Sequence, residues 1–220
     1  MGYTNSPLVS YTCLSPNHSG ERNHAIDTVT IHCVVGQSSV EGLGNLFSQE
    51  SRQASSNYGI GYDGRIGLYV EEKNRSWCSS SGSNDHRAIT IEVASDAVHP
   101  YKVNEKAMES LVNLLTDICK RNNIKQLLWK ANKSLIGQVD KQNMTVHRWF
   151  ANKDCPGEYL YNKHSEIAAE VNKRLSQEIP SQSEELYRVQ VGAFKVKSNA
   201  ENMLQKLKSQ GYSDAFIVKR

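Results

Sequence analysis

Apolar and polar side chains alternate from Ile26 to Val35: Val29, Ile31 and Cys33 share one face, and Thr28, Thr30 and His32 the other. A two-residue period predicts a strand. The same period recurs in Ala88–Ala94, where Ile89, Ile91 and Val93 oppose Thr90 and Glu92. Between them, Tyr58–Val70 reads as two short strands joined at Asp63-Gly64, a pair that favours a tight turn. The period then lengthens. Met108, Leu111, Val112, Leu115, Ile118 and Cys119 form a stripe at helical spacing, which predicts a helix over Glu105–Arg121 with Asn104 as its N-cap. Leu160, His164, Ile167, Ala168 and Val171 mark a second helix over Gly157–Leu175, and Ser39 to about Glu50 a short one. Leu127–Trp129 is an apolar run of unassigned type. Strands interleaved with helices place the chain in the α/β class.

The pattern breaks at Ser176–Glu185, which is polar and without period. It reads as a linker over 177–186, separating a first domain at 1–176 from a small module at 187–220. In that module Tyr187–Phe194 alternates like a strand, Ser198 and Glu201 make a capping box, and Ala200, Met203, Leu204 and Leu207 form a stripe. Gly211 follows as a helix stop and Asp214–Val218 reads as a second strand, a β-α-β unit.

Composition narrows the field. In 220 residues, 26 Lys and Arg face 23 Asp and Glu, a net charge of +3 that gives no argument for a nucleic-acid partner. Mean hydropathy is −0.57, and no run of apolar residues is long enough to span a membrane. The amino terminus has neither the basic nor the apolar region of a secretory leader. Five cysteines at 13, 33, 78, 119 and 155, without a CxxC pair, read as reduced thiols.

Three residues carry the candidate chemistry. His32 lies on the polar side of an otherwise apolar strand, His147 follows Val146, and Cys155 sits in Lys153-Asp-Cys-Pro-Gly157. Two imidazoles and a thiolate leave a fourth tetrahedral position open, as a catalytic zinc site requires. Spacing alone does not bring them together: His32 also fits a satisfied strand histidine, His147 a loop histidine and Cys155 a buried thiol. Asp154 is a rival ligand, but thiolate suits zinc better. His164, on a helical stripe, reads as packed.

Val29-Thr-Ile-His32, Asn57-Tyr-Gly-Ile-Gly-Tyr-Asp-Gly64, Ile89-Thr-Ile-Glu92, His147 and Lys153–Gly157 together resemble the zinc-dependent N-acetylmuramoyl-L-alanine amidases of the type 2 amidase and peptidoglycan recognition protein superfamily. The resemblance covers nearly all of the first domain. It implies a central mixed β-sheet flanked by helices, Zn2+ held by His32, His147 and Cys155, and catalytic roles for Glu92 and Lys153. Asn57, Tyr58, Trp77, His86, Arg148 and Trp149 are candidates for the substrate groove, His86 at its rim, and the aromatics and Arg148 fit packing equally well. The chain departs from the family in carrying Cys78 after Trp77, where many members have His. Val189–Phe194 makes the tail similar to half of a SPOR (sporulation-related repeat) module, a glycan-binding unit, with Gln190 as the candidate glycan contact. A half-module of this size does not bury a core alone, so either two chains pair through the tail or the half-module packs on the first domain.

The resemblance implies a peptidoglycan substrate and cleavage of the bond between N-acetylmuramic acid and L-Ala. A small catalyst with a wall-binding tail suggests a phage or prophage endolysin, cytoplasmic on synthesis and reaching the cell wall with a holin-type protein. A non-catalytic recognition protein and a cytosolic muropeptide-recycling amidase are the alternatives. The Cys155 ligand argues against the first and the tail against the second.

Overall fold

A computed structural model describes residues 3–177, 190–213 and 215–218. The chain divides into two compact units, Met1–Ile179 and Pro180–Arg220.

The first unit is built on a six-stranded sheet. Its strands are β1 (Tyr11–Thr12), β3 (Thr28–Cys33), β4 (Tyr58–Ile60), β5 (Ile66–Leu68), β7 (Ala88–Val93) and β8 (Met144–Thr145), in the order β1-β5-β4-β7-β3-β8. β4 and β5 pair antiparallel and every other neighbour is parallel, so the sheet is mixed. A separate antiparallel pair joins β2 (His18–Glu21) to β6 (Asn74–Ser76). The helices are α1 (Val40–Phe47), α2 (Gly82–Arg87), α3 (Glu105–Arg121) and α4 (Gly157–Gln177).

The expected periods hold at the centre of the sheet. β3 and β7 lie side by side with Thr30 opposite Thr90 and His32 opposite Glu92. On one face Val29, Ile31, Ile89, Ile91 and Val93 join the core with Leu111, Leu115 and Ile118 of α3 and Leu160, Ile167 and Val171 of α4. α3 starts where expected, Asn104 accepting from Ala107 N. The β4–β5 turn depends on Gly64 at φ +85°, where a Cβ would stand 3.2 Å from the Lys106 carbonyl oxygen.

The other face is polar and equally buried. Thr30 Oγ1 lies 2.8 Å from Thr145 Oγ1, Asn84 donates to Thr30 and accepts from Thr145, and Thr90 Oγ1 lies 2.7 Å from Ser76 Oγ. Satisfied buried polar networks of this kind fix one arrangement. Arg22 anchors the edge of this layer: its guanidinium donates to the carbonyls of Glu72, Asp85 and Ala88 and to Asn57 Oδ1. Burial lowers its pKa to about 10, still charged at neutral pH. Arg22→Met would strand these four acceptors, so a loss of about 3–5 kcal/mol in urea unfolding is expected; a loss under about 1 kcal/mol would mean that water replaces the guanidinium.

In the second unit the described regular element is α5 (Lys197–Ser209). Gly211 follows it at φ +99°, as a helix stop should. Among the described residues, 190–194 and 215–218 carry no strand. The capping box is corrected: the N-cap is Val196, without a side-chain bond, and Glu201 turns to Lys197 Nζ at 3.1 Å instead. The expected linker, apart from Gln177, and the start of the first tail strand, Tyr187–Val189, lie outside the described residues.

Candidate metal centre

The polar ends of β3 and β7 meet the loops that carry Cys78 and His147–Cys155. His32, wholly buried, presents Nδ1 at 3.2 Å from Cys155 Sγ, and its ring centroid lies 5.1 Å from that of His147. The ligand atoms of His32, His147 and Cys155 all lie within 4.8 Å of one another. His147 Nε2 lies 3.0 Å from Ser80 Oγ. A hydrogen bond of this kind fixes the orientation of a ligating ring.

Electrostatics suit a cation. Burial, aided by His147, lowers the His32 pKa to about 3, and burial lowers that of His147 as well. Both rings are therefore neutral at pH 7, as metal ligation requires. Contact with the Cys33 thiol, together with burial and the nearby Glu92, raises the Cys155 thiol. Glu92 Oε1 stands 3.9 Å from His32 Nδ1. Burial and the Cys33 thiol push its carboxyl up to about 8, and its Oε2 is buried without a hydrogen-bond partner. Neutral imidazoles, a soft thiol and an unpartnered carboxylate oxygen at such separations fit a zinc-type ion. Asp154, the rival ligand, is outside this set: its carboxylate accepts from Arg148 at 3.2 Å.

Of the other expected site residues, Lys153 is exposed, and its charge contributes to lowering the His147 pKa. Trp77 is half-buried and donates from Nε1 to Ser19 Oγ at 2.6 Å.

Four placements correct the sequence reading. Asn57 and Tyr58 are wholly buried. The Asn57 amide accepts from Thr90 N and Arg22, and the Tyr58 hydroxyl donates to Glu72 at 2.6 Å. Both hold the scaffold. His86 accepts from Asn23 N. Two residues later Ala88 pairs with Thr28, four registers below the His32–Glu92 pair, or about 13 Å at 3.3 Å per residue. Trp149 is 8% exposed and stacks on Trp129 at 5.1 Å, with His164 4.4 Å beyond. Arg148, half-buried, spends its guanidinium on Glu158 and Asp154 and lies over the Tyr161 ring, bracing the loop that presents Cys155.

His164 is packed, as its stripe predicts. Burial lowers its pKa to about 4. Since the unfolded chain protonates near 6.5, this residue contributes stability above that pH which is lost as pH falls from about 6.5 through 4. The loss amounts to about 3 kcal/mol at 1.36 kcal/mol per unit. Chemical unfolding at pH 7 and pH 4 should show His164→Leu losing less stability than wild type by about that difference; equal losses would refute the assignment.

Sequence reading missed Ser80 as a site residue and noted Cys78 only as a departure. Cys78 Sγ lies 3.9 Å from Glu92 Oε1, and Asp85 fixes the loop by accepting from Cys78 N and Ser79 N. In a run of three serines nothing local distinguishes Ser80 except its backbone, at φ +62°.

The profile of a family described as N-acetylmuramoyl-L-alanine amidase matches residues 22–158, and that of the SPOR domain matches residues 172–220. No curated protein is significantly similar in sequence. Among solved structures, a mutant endolysin from Bacillus subtilis is 16% identical, with 73% of this chain and 97% of that one covered at a TM-score of 0.55. A selenomethionine derivative of AmpD is 16% identical over 76% and 99% of the two chains at 0.54, and PlyL 13% identical over 73% and 95% at 0.53. At these identities the likeness is one of fold. Through residues 22–158 the chain belongs to the N-acetylmuramoyl-L-alanine amidase family, and its tail carries a SPOR domain.

Proposed function

We propose that the chain is a zinc-dependent peptidoglycan amidase that cleaves the bond between the lactyl carbonyl of N-acetylmuramic acid and the L-Ala of the stem peptide. The observation that carries this is the convergence of His32, His147 and Cys155 beside Glu92 on one face of the sheet. Zinc held by those three residues supplies Lewis acidity, polarising a carbonyl and bringing the pKa of water from 15.7 to about 7.

The chain's own groups complete the reaction. Glu92 takes the proton of the attacking water and returns it to the departing L-Ala nitrogen, so one carboxylate serves as base and then acid. Its raised pKa reflects a site without cationic charge; a cation among the neighbouring ligands favours the carboxylate. Lys153, exposed in the loop that carries Cys155, offsets the negative charge that grows on the carbonyl oxygen, an effect typically worth about 3–4 kcal/mol. Ser80 and Arg148 hold the His147 and Cys155 segments in place.

In the tail, Gln190 is exposed and serves as the glycan contact in this reading. Val191, Phe194, Val196, Phe216, Ile217 and Val218 are exposed as well, and pairing of two tails would cover them. The fold neighbours named as endolysins favour a phage or prophage lysin, made in the cytoplasm and passed to the wall by a holin-type protein.

The test is digestion of purified cell wall. Free L-Ala amino termini without new reducing sugars are expected; new reducing ends without L-Ala termini would make the chain a glycosidase. Faster turnover of intact wall than of soluble muropeptides separates wall lysis from recycling.

A further inference from the structure

Cys78 is unused by the chemistry above, yet it lies in the same cleft. Its Sγ is 3.9 Å from Glu92 Oε1, which is itself 3.9 Å from His32 Nδ1, and the ligand atoms of the three residues lie within 4.8 Å of one another. Zinc bonds of about 2.0–2.3 Å in tetrahedral geometry set ligand atoms roughly 3.3–3.8 Å apart. These three atoms are thus within a small side-chain adjustment of coordinating one ion. Two further features make the arrangement a site. Glu92 Oε2 is buried with no hydrogen-bond partner. The Cys78 backbone is held by the buried Asp85, whose carboxylate accepts from Cys78 N at 3.1 Å and from Ser79 N.

We propose that the cleft contains a second seat for a thiophilic divalent cation, made by Cys78 and Glu92 beside the shared His32, and that an ion there removes the Glu92 carboxylate from catalysis. His32 Nδ1 also faces Cys155 at 3.2 Å, so it serves one ion at a time. With the first seat filled, the second ion has the Cys78 thiolate and the Glu92 carboxylate, and solvent completes its shell. The second seat is therefore the weaker one. Binding forms a sulfur–metal bond and releases the Cys78 thiol proton to solvent. Soft thiolate ligands select ions such as Zn2+ and Cd2+ over Mg2+ and Ca2+. The inhibitory consequence rests on the amidase reading, but the seat itself does not.

The experiment titrates the metal-free full chain with Cd2+, following heat and the ultraviolet thiolate-to-cadmium charge-transfer band. Wild type should bind two equivalents in two steps, each adding thiolate absorbance. Cys78→Ala should keep the first step, which also shows that it folds, and lose the second. A single equivalent in wild type overturns the proposal, as does a second step that survives Cys78→Ala. So does a second step lost in Cys33→Ala alone, because the Cys33 thiol touches Cys155 and offers a rival thiol pair. Excess Zn2+ should slow wall digestion by wild type and not by Cys78→Ala; equal slowing overturns the inhibitory role. If no form digests wall at any zinc level, the amidase reading fails while the titration still decides the seat.

Discussion

Cys155→Ser is expected to lose bound zinc and to fall more than about a thousandfold in wall hydrolysis while remaining folded. The expectation follows from what the substitution removes. Sulfur is the one soft donor of the set, and His32 Nδ1 stands 3.2 Å from it. Serine keeps the shape but not the acidity, because a hydroxyl does not ionise near neutral pH as a thiol does on a metal. Without that ligand the two neutral imidazoles bind far more weakly, and the several kcal/mol of charge stabilisation supplied by a Lewis acid go with the ion. At 1.36 kcal/mol per decade, a thousandfold corresponds to about 4 kcal/mol. The fold should hold, since Cys155 lies in a half-exposed loop outside the core cluster. Two measurements check this together. Metal analysis should find zinc in wild type and little in the variant. A chelator should lower the melting temperature of wild type, which loses its binding contribution, and leave the variant unmoved. A variant that hydrolyses wall at the wild-type rate with no metal present would remove zinc from the reaction.

Much of this centre was legible because strand period and sheet register are coupled. His32 and Glu92 are polar residues at matched positions in two β-branched runs, and once those runs pair as parallel neighbours they must share a face. The convergence of His147 and Cys155 was not legible from spacing. His147 opens a three-residue 3-10 turn and Cys155 sits in a loop, too short for a period to show, and the family resemblance pointed to them. The failures share a cause. Asn57, Tyr58 and Trp149 look like groove residues because polar and aromatic side chains are common in binding sites. Here Asn57 and Tyr58 satisfy a buried polar layer, and Trp149 closes an aromatic stack. A linear pattern cannot tell a polar group spent on the scaffold from one offered to a ligand; only its partners can. β1, β2, β6 and β8, each two to four residues long, also escaped, since a period needs more residues than they contain. In the tail the helical stripe was sound: Ala200, Met203, Leu204 and Leu207 all lie on α5.

Glu92→Gln should separate proton transfer from metal binding. Glutamine preserves the shape and one oxygen, but it neither accepts a proton from water nor delivers one to an amine. General acid–base catalysis contributes typically 10²–10⁴-fold, so kcat should fall by about that factor. Zinc content should stay at the wild-type level, since Glu92 lies beside the His32–His147–Cys155 set without belonging to it. KM should change little, because the group acts on protons in flight and not on the bound substrate. Nor should the fold suffer: burial already holds this carboxyl near 8, so the native metal-free site favours a neutral side chain, and urea unfolding of the metal-free variant should match or exceed that of wild type. These readouts exclude a merely structural role. If Glu92 only braced His32 across 3.9 Å, the substitution would lower metal affinity and stability together and spare the rate once zinc is saturating. A zinc-loaded variant within about tenfold of the wild-type rate would take the proton away from Glu92 and require another carrier among the groups that line the cleft.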